Sequence, residues 1–234
     1  TPVLSNGDVI DITAPVTADV DEFTLNLTGK AGKSLDIILR GDAAGFGNEL
    51  LELLDTDGTS VLATAVSDPV SASTDATNYD LGILDFTVPA DGIYTLRLTS
   101  TVVMTPYDLI VTEDLVFDSE PNNTPATDPL RSLDAALAAL GYIDAASDAN
   151  DYYEVSLTAG QSVTVSTATP FDTSSSAPAN TLNPELEVIH PDGSTIVASD
   201  QDSATDGKNA TVTFTAPVTG SYRLRIRATA SAGE

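Results

Sequence analysis

The sequence predicts an all-β protein, two tandem β-sandwiches with a short linking helix, and three observations carry that prediction. Short alternating apolar and polar runs dominate, cut by Gly, Pro, Asp and Asn, as half-buried strands and turns require. The second half repeats the order of the first, segment by segment. Between the halves lies one stretch of leucines at helical spacing.

The first half begins with a leader, Thr1 to Asn6, and an alternating run, Asp8 to Thr13. Phe23, Leu25 and Leu27 then share one face of a strand. A turn over 29–32 precedes a strand from Ser34 to Arg40. The glycine-rich loop from Gly41 to Asn48 lacks the Lys-Ser/Thr pair of a phosphate loop. Leu50 to Leu54 and Val61 to Val66 flank the turn Asp55-Thr56-Asp57-Gly58. After a long polar loop, Ser67 to Asp80, a hairpin is expected from Asp85 to Thr99 around Pro89-Ala90-Asp91-Gly92. Tyr107 to Thr112 closes the module.

The second half carries the same order. Leu51-Glu52-Leu53-Leu54-Asp55-Thr56-Asp57-Gly58 matches Leu186-Glu187-Val188-Ile189-His190-Pro191-Asp192-Gly193. Phe86 to Leu98 matches Phe214 to Ile226, and Asp21 to Leu27 matches Asp151 to Leu157. Two copies of roughly 100 residues are each the size of a β-sandwich. The boundary is drawn at 1–115 and 116–234. The expected core is Phe23, Leu25, Leu27, Leu53, Phe86, Tyr94 and Leu96 in the first module. In the second it is Tyr153, Val155, Leu157, Val188, Phe214, Tyr222 and Leu224.

Leu130, Leu133, Leu137 and Leu140 suggest a short helix over 129–140. Asp128 could cap its start, Pro129 suits its first position and Gly141 could end it. The second copy has no counterpart of Tyr107 to Val111, so it reads as one strand short. That gap, and Thr rather than Met at position 1, are expected of a piece of a longer, processed protein.

The net charge is −26 over 234 residues, from 35 acidic and 9 basic side chains. Such a surface disfavours nucleic acid and anionic lipid, which need Lys and Arg to displace counterions. It favours cations, or simply solubility in a salty or extracellular setting. No apolar run of about 18 residues exists to insert into a membrane. There is no cysteine, so no disulfide framework.

The stretch from Asp118 to Pro125 is singular. Asp118, Glu120 and Asn122 alternate in an extended segment, so their oxygens can point one way. Asp148 and Asp151 stand at i and i+3 just before a strand. Hard oxygen donors that converge suit calcium. The alternative is a solvated linker beside a turn cap.

Other candidates read as structure. Asp55 and Asp57 belong to a hairpin turn and lack the later ligands of a calcium loop. Asp200, Asp202 and Asp206 lie in what reads as a solvated loop. His190 sits at a hairpin tip where the other copy has Asp55, so it is not expected to act as a base. Without a placed histidine or any cysteine, nucleophilic chemistry has no machinery, and no carboxylate pair is singled out by context. Arg223, Arg225 and Arg227 alternate opposite Glu185 and Glu187, as Arg97 does opposite Glu52. Cross-strand charge pairing is favoured over an anion-recognition face.

The run Glu120-Pro121-Asn122-Asn123-Thr124 is followed by Gly141 to Ile143 (G-x-I) and by Asp148 to Gln161 (D-x-x-D-Y-Y-x-V-x-L-x-A-G-Q). Leu186 to Gly193 and Ala216 to Ile226 complete the pattern. It resembles the bacterial pre-peptidase C-terminal (PPC) domain family. The first half matches from about Asp19 to Val111 without the opening motif. The resemblance implies jelly-roll-like β-sandwiches, appended to secreted enzymes and cell-surface proteins as accessory modules. The chain is also similar to the collagen-binding modules of bacterial collagenases, in which a linker and a D-x-x-D pair cage calcium. That likeness carries a structural calcium to Asp118, Glu120, Asn122, Asn123, Asp148 and Asp151, with Asn123 where that pattern has an acid. The aromatic-rich strand of the collagen binders is not evident, so collagen is not the expected ligand. The expected function is a non-catalytic, calcium-stabilised binding or spacer module of a secreted or cell-surface protein. Its partner would be an extracellular polysaccharide or protein, or neighbouring domains. The alternative is a fragment of a secreted carbohydrate-active enzyme or peptidase.

Overall fold

A computed structural model describes residues 3–4, 9–12, 20–41, 49–67, 79–100, 107–134, 138–146, 148–169, 182–228 and 232–233. The glycine-rich loop after Gly41 and most of the polar loop before Asp80 lie outside the described residues. Packing divides the chain into two units, with the division after Phe117.

The first unit contains β1 (Val3–Leu4), β2 (Val9–Ile12), β3 (Val20–Asn26), β4 (Ser34–Gly41) and β5 (Glu49–Leu54). It continues through β6 (Val61–Thr64), β7 (Leu81–Thr87), β8 (Ile93–Ser100), β9 (Tyr107–Glu113) and β10 (Val116–Phe117). A five-stranded sheet runs β1-β3-β8-β5-β6, and a four-stranded sheet runs β2-β9-β4-β7. Inward side chains from both sheets build one core. Phe23, Leu25, Leu51, Leu53, Tyr94, Leu96 and Leu98 face Leu35, Ile37, Leu39, Ile83, Leu109 and Val111. Phe86 is half-buried at its margin.

The second unit repeats this order. Its strands are β11 (Arg131–Ser132), β12 (Ala139–Leu140), β13 (Ile143–Asp144), β14 (Asn150–Leu157) and β15 (Ser162–Ser166). They continue as β16 (Pro184–Ile189), β17 (Ile196–Asp200), β18 (Thr211–Thr215), β19 (Gly220–Ala228) and β20 (Ala232–Gly233). The five-stranded sheet runs β11-β14-β19-β16-β17, strand for strand the order of the first. Opposite it lie the pairs β13-β20 and β15-β18. The place of β9 beside β2 is thus taken by β20 beside β13, over two residues. Tyr153, Leu157, Val188, Phe214, Tyr222 and Leu224 form the core, with Val155 half-buried against it.

The repeated motifs have matching physical roles. Tyr94 donates its hydroxyl proton to the Ala90 carbonyl at 2.6 Å, and Tyr222 to that of Val218 at 2.8 Å. Each bond satisfies a core tyrosine and ties the incoming loop to its own strand, a tyrosine corner. Glycine stands at the start of each strand, Gly92 just before β8 and Gly220 as the first residue of β19, because the other repeated hairpin presses on it. A Cβ at Gly92 would lie 2.5 Å from Thr56, and one at Gly220 would lie 2.7 Å from Pro191.

The linking helix is not formed: among the described residues of 129–140 there are two short strands and no helix. Tertiary pairing overrides the leucine spacing. β11 adds in parallel to the edge of β14, Arg131 opposite Tyr153 and Ser132 opposite Glu154. The Leu133 amide then donates to Glu154 O at 2.8 Å, and Leu133 packs on the core. The Asp134 carboxylate accepts the Ser156 amide at 2.6 Å. The same edge of the first module carries β1, parallel to β3, so this segment is the twin of the leader. Asp128 caps no helix and instead accepts the Thr124 amide at 2.6 Å in a turn.

Candidate metal centre

β14 sets the site. Its inward row is Asp151, Tyr153, Val155 and Leu157, so the strand pattern that builds the core also aims one carboxylate into its end. Asp148 is placed by reciprocal backbone hydrogen bonds with Asp144, each 2.8 Å. The linker arrives from the other side. The Asp118 amide donates to Leu140 O at 2.9 Å, and the Tyr152 amide to Asn122 O at 3.2 Å. These bonds tie both ends of the extended stretch to the second module.

Five of the six sequence-predicted residues are buried: Asp118 0%, Glu120 1%, Asn122 0%, Asp148 1% and Asp151 3% exposed. One oxygen each of Asp118, Glu120 and Asp151 lies within 4.8 Å of the others. Asn122 donates its side-chain amide to Asp118 Oδ1 at 2.5 Å and its backbone amide to Glu120 Oε2 at 3.1 Å. Asn123 is half-buried, and its side-chain amide is 3.4 Å from Glu120 Oε2, a nitrogen turned toward the cluster.

Burial first, then the negative charges of Asp118, Asp148 and Glu120, push the Asp151 carboxyl well above the usual carboxylate range. Two buried oxygens, Asn122 Oδ1 and Asp151 Oδ1, accept no hydrogen bond among the described residues. An unsatisfied buried oxygen costs about 1–3 kcal/mol. Crowded, buried, acceptor-only oxygens fit a hard cation, and calcium takes 6–8 such ligands.

Two residues that sequence reasoning assigned elsewhere touch the cluster. Tyr153 is buried, and its hydroxyl hydrogen-bonds Asp118. A Cβ on Gly141 would lie 2.7 Å from Asp118 Cβ, 3.0 Å from Asp118 Oδ2 and 3.1 Å from the Tyr153 hydroxyl. The signal was present in the repeat, where the counterpart of Tyr153 is Phe23.

The remaining candidates are occupied structurally. Asp57 accepts the Thr59 and Ser60 amides at 2.7 Å, and Asp192 accepts those of Ser194 and Thr195 at 2.9 and 2.8 Å. Hydrogen bonds from Ser60 and Thr195, first among the causes, hold both carboxyls well below the usual range. His190 Nδ1 accepts the Asp192 amide at 3.1 Å, inside the turn. Asp206 is lowered to about 2 by the Asn209 side chain and local amides. The arginines pair across strands: Arg97 with Glu52 at 2.7 Å, Arg225 with Glu187 and Arg227 with Glu185. No helix of the described residues is long and apolar enough to cross a membrane.

In comparison with known proteins, no curated sequence matches the chain. Among solved structures, it is similar to the N-terminal CBM22-1-CBM22-2 tandem domain of Paenibacillus barcinonensis Xyn10C. The identity is 12%, over 97% of this chain and 91% of that one, with a TM-score of 0.23. The family model of the bacterial pre-peptidase C-terminal domain matches residues 149–228. The resemblance to that family is thereby shown in the second module, over the strands that aim Asp151 into the site.

Proposed function

We propose that the chain is a non-catalytic accessory binding module of a secreted or cell-surface protein, with its second sandwich held by a structural calcium ion. Asp118, Glu120, Asp148 and Asp151 would supply carboxylates and Asn122 its side-chain oxygen. The observation that carries the reading is the buried cluster in which Asn122 Oδ1 and Asp151 Oδ1 accept no hydrogen bond among the described residues. A solvated linker would leave these side chains wet, whereas they are at most 3% exposed. The accessory role is supported by the family match over 149–228 and by turn duties that account for His190, Asp57 and Asp192. Partners would be an extracellular polymer, polysaccharide or protein, or adjoining domains, and the acidic surface disfavours nucleic acid.

Calorimetric titration of metal-stripped protein with calcium tests the site. One ion per chain is expected, and Asp151→Asn should remove most of the heat, because it deletes a buried charge whose Oδ1 accepts no hydrogen bond among the described residues. Absence of binding by the unaltered protein would leave the linker without a metal role.

A further inference from the structure

The two modules place the same core ring at the same point of the same strand. Phe23 stands opposite Leu96 in the first, and Tyr153 opposite Leu224 in the second. Both rings are buried, 3% and 5% exposed, so packing needs the ring and not the hydroxyl. The hydroxyl is present only in the copy that carries the oxygen-rich linker, and it reaches Asp118. On the other side of that contact is Gly141. Any side chain there would strike Asp118 Cβ at 2.7 Å, with Oδ2 and the tyrosine hydroxyl only 3.0 and 3.1 Å away.

Asp118 is therefore held from several directions. Its backbone is fixed by Leu140 O at 2.9 Å and its Oδ1 by the Asn122 side chain at 2.5 Å, while Tyr153 donates from the core. A carboxylate gripped by neutral donors is turned before an ion arrives, and groups that orient ligands tune metal affinity. In the first module the carboxylate at the place of Asp151 is used differently. Asp21 accepts the Tyr107 hydroxyl at 3.0 Å, a contact complete without an ion.

We infer that Tyr153, by its buried hydroxyl, and Gly141, by its lack of a side chain, are positioning residues that aim Asp118 at the calcium ion. The inference rests on the calcium reading above. Neither residue touches the ion. Tyr153 supplies a neutral donor that leaves the carboxylate charge whole, and Gly141 keeps the space that lets hydroxyl and carboxylate meet.

The test is calcium titration and melting of the full chain as Tyr153→Phe and as Gly141→Ala. Phe23 occupies the equivalent position, so Tyr153→Phe is expected to fold. Calcium affinity should fall about tenfold or more in each variant, the usual cost of losing an orienting partner. Metal-stripped melting of Tyr153→Phe should fall by no more than one lost hydrogen bond costs, and the further rise that calcium brings should shrink as well. If the unaltered protein binds calcium and both variants bind it equally well, positioning is overturned and the calcium reading stands. If Tyr153→Phe lowers melting equally with and without calcium, the hydroxyl is a structural prop and positioning is again overturned. If the unaltered protein binds no calcium, both readings fail together.

Discussion

At the scale of single residues, Asp151 has the clearest consequence. Its carboxyl is raised by burial and by three neighbouring acids, so the folded state keeps a proton that the unfolded chain releases near pH ~4. The metal-free second module should therefore lose stability as pH rises from about 4 toward the raised folded value. With calcium in excess that loss should disappear, because the ion-bound carboxylates, like those of the unfolded chain, hold no proton in this range. Melting temperatures of stripped and calcium-saturated protein between about pH 5 and 7 check both, a fall with pH in the first and a flat profile in the second. Asp118 was legible as a candidate because oxygen-bearing side chains alternate from it to Asn122, and Asp151 because it stands three residues after Asp148 at the mouth of a strand. Tyr153 was not, since alternation alone assigns it to the core and says nothing of its hydroxyl. Asp36 was hidden for a similar reason. It is 1% exposed within β4 and accepts the Asp85 and Phe117 amides at 2.6 and 2.8 Å, contacts far apart in sequence.

At the scale of elements, strands were read well and the helix was not. Period-two alternation with turn residues reports a half-buried strand directly, as in Phe23, Leu25 and Leu27. Leucines three and four apart report only that a segment has an apolar side. Whether it coils depends on what lies beside it, and here the open edge of β14 takes β11 as a parallel strand. Leu133 is half-buried on that edge. Leu133→Ala should cost about 1–2 kcal/mol, below the 2–5 of a fully buried leucine. Chemical denaturation would read this as a lower midpoint at unchanged slope. A helix-stabilising change at exposed Ser132 should bring no gain, because that residue pairs with Glu154. The tyrosine corners belong to the same scale. Tyr94→Phe and Tyr222→Phe each remove one hydrogen bond and should each cost about 1 kcal/mol. For a domain of roughly 100 residues that lowers melting by about 4–8 °C.

At the scale of the whole molecule, two copies of one strand order have diverged in how each closes the end of its core. The first uses Tyr107 on Asp21, and the second gathers Asp118, Glu120 and Asp151 with two buried oxygens that accept no hydrogen bond among the described residues. The repeat was legible because turns and tyrosine corners fix residues at set spacings. The divergence was legible only in part, since it depends on which strand meets which acid. The two corner variants also label the modules, each lowering the melting of its own. Scanning calorimetry of the full chain, in calcium and then in chelator, tests the central claim most directly. Calcium at a hundred times its dissociation constant should add about 2.7 kcal/mol to the module that binds it. The transition lowered by Tyr222→Phe should rise with calcium, and the one lowered by Tyr94→Phe should stay in place. Identical traces in calcium and chelator, or a rise confined to the Tyr94 transition, would contradict the account.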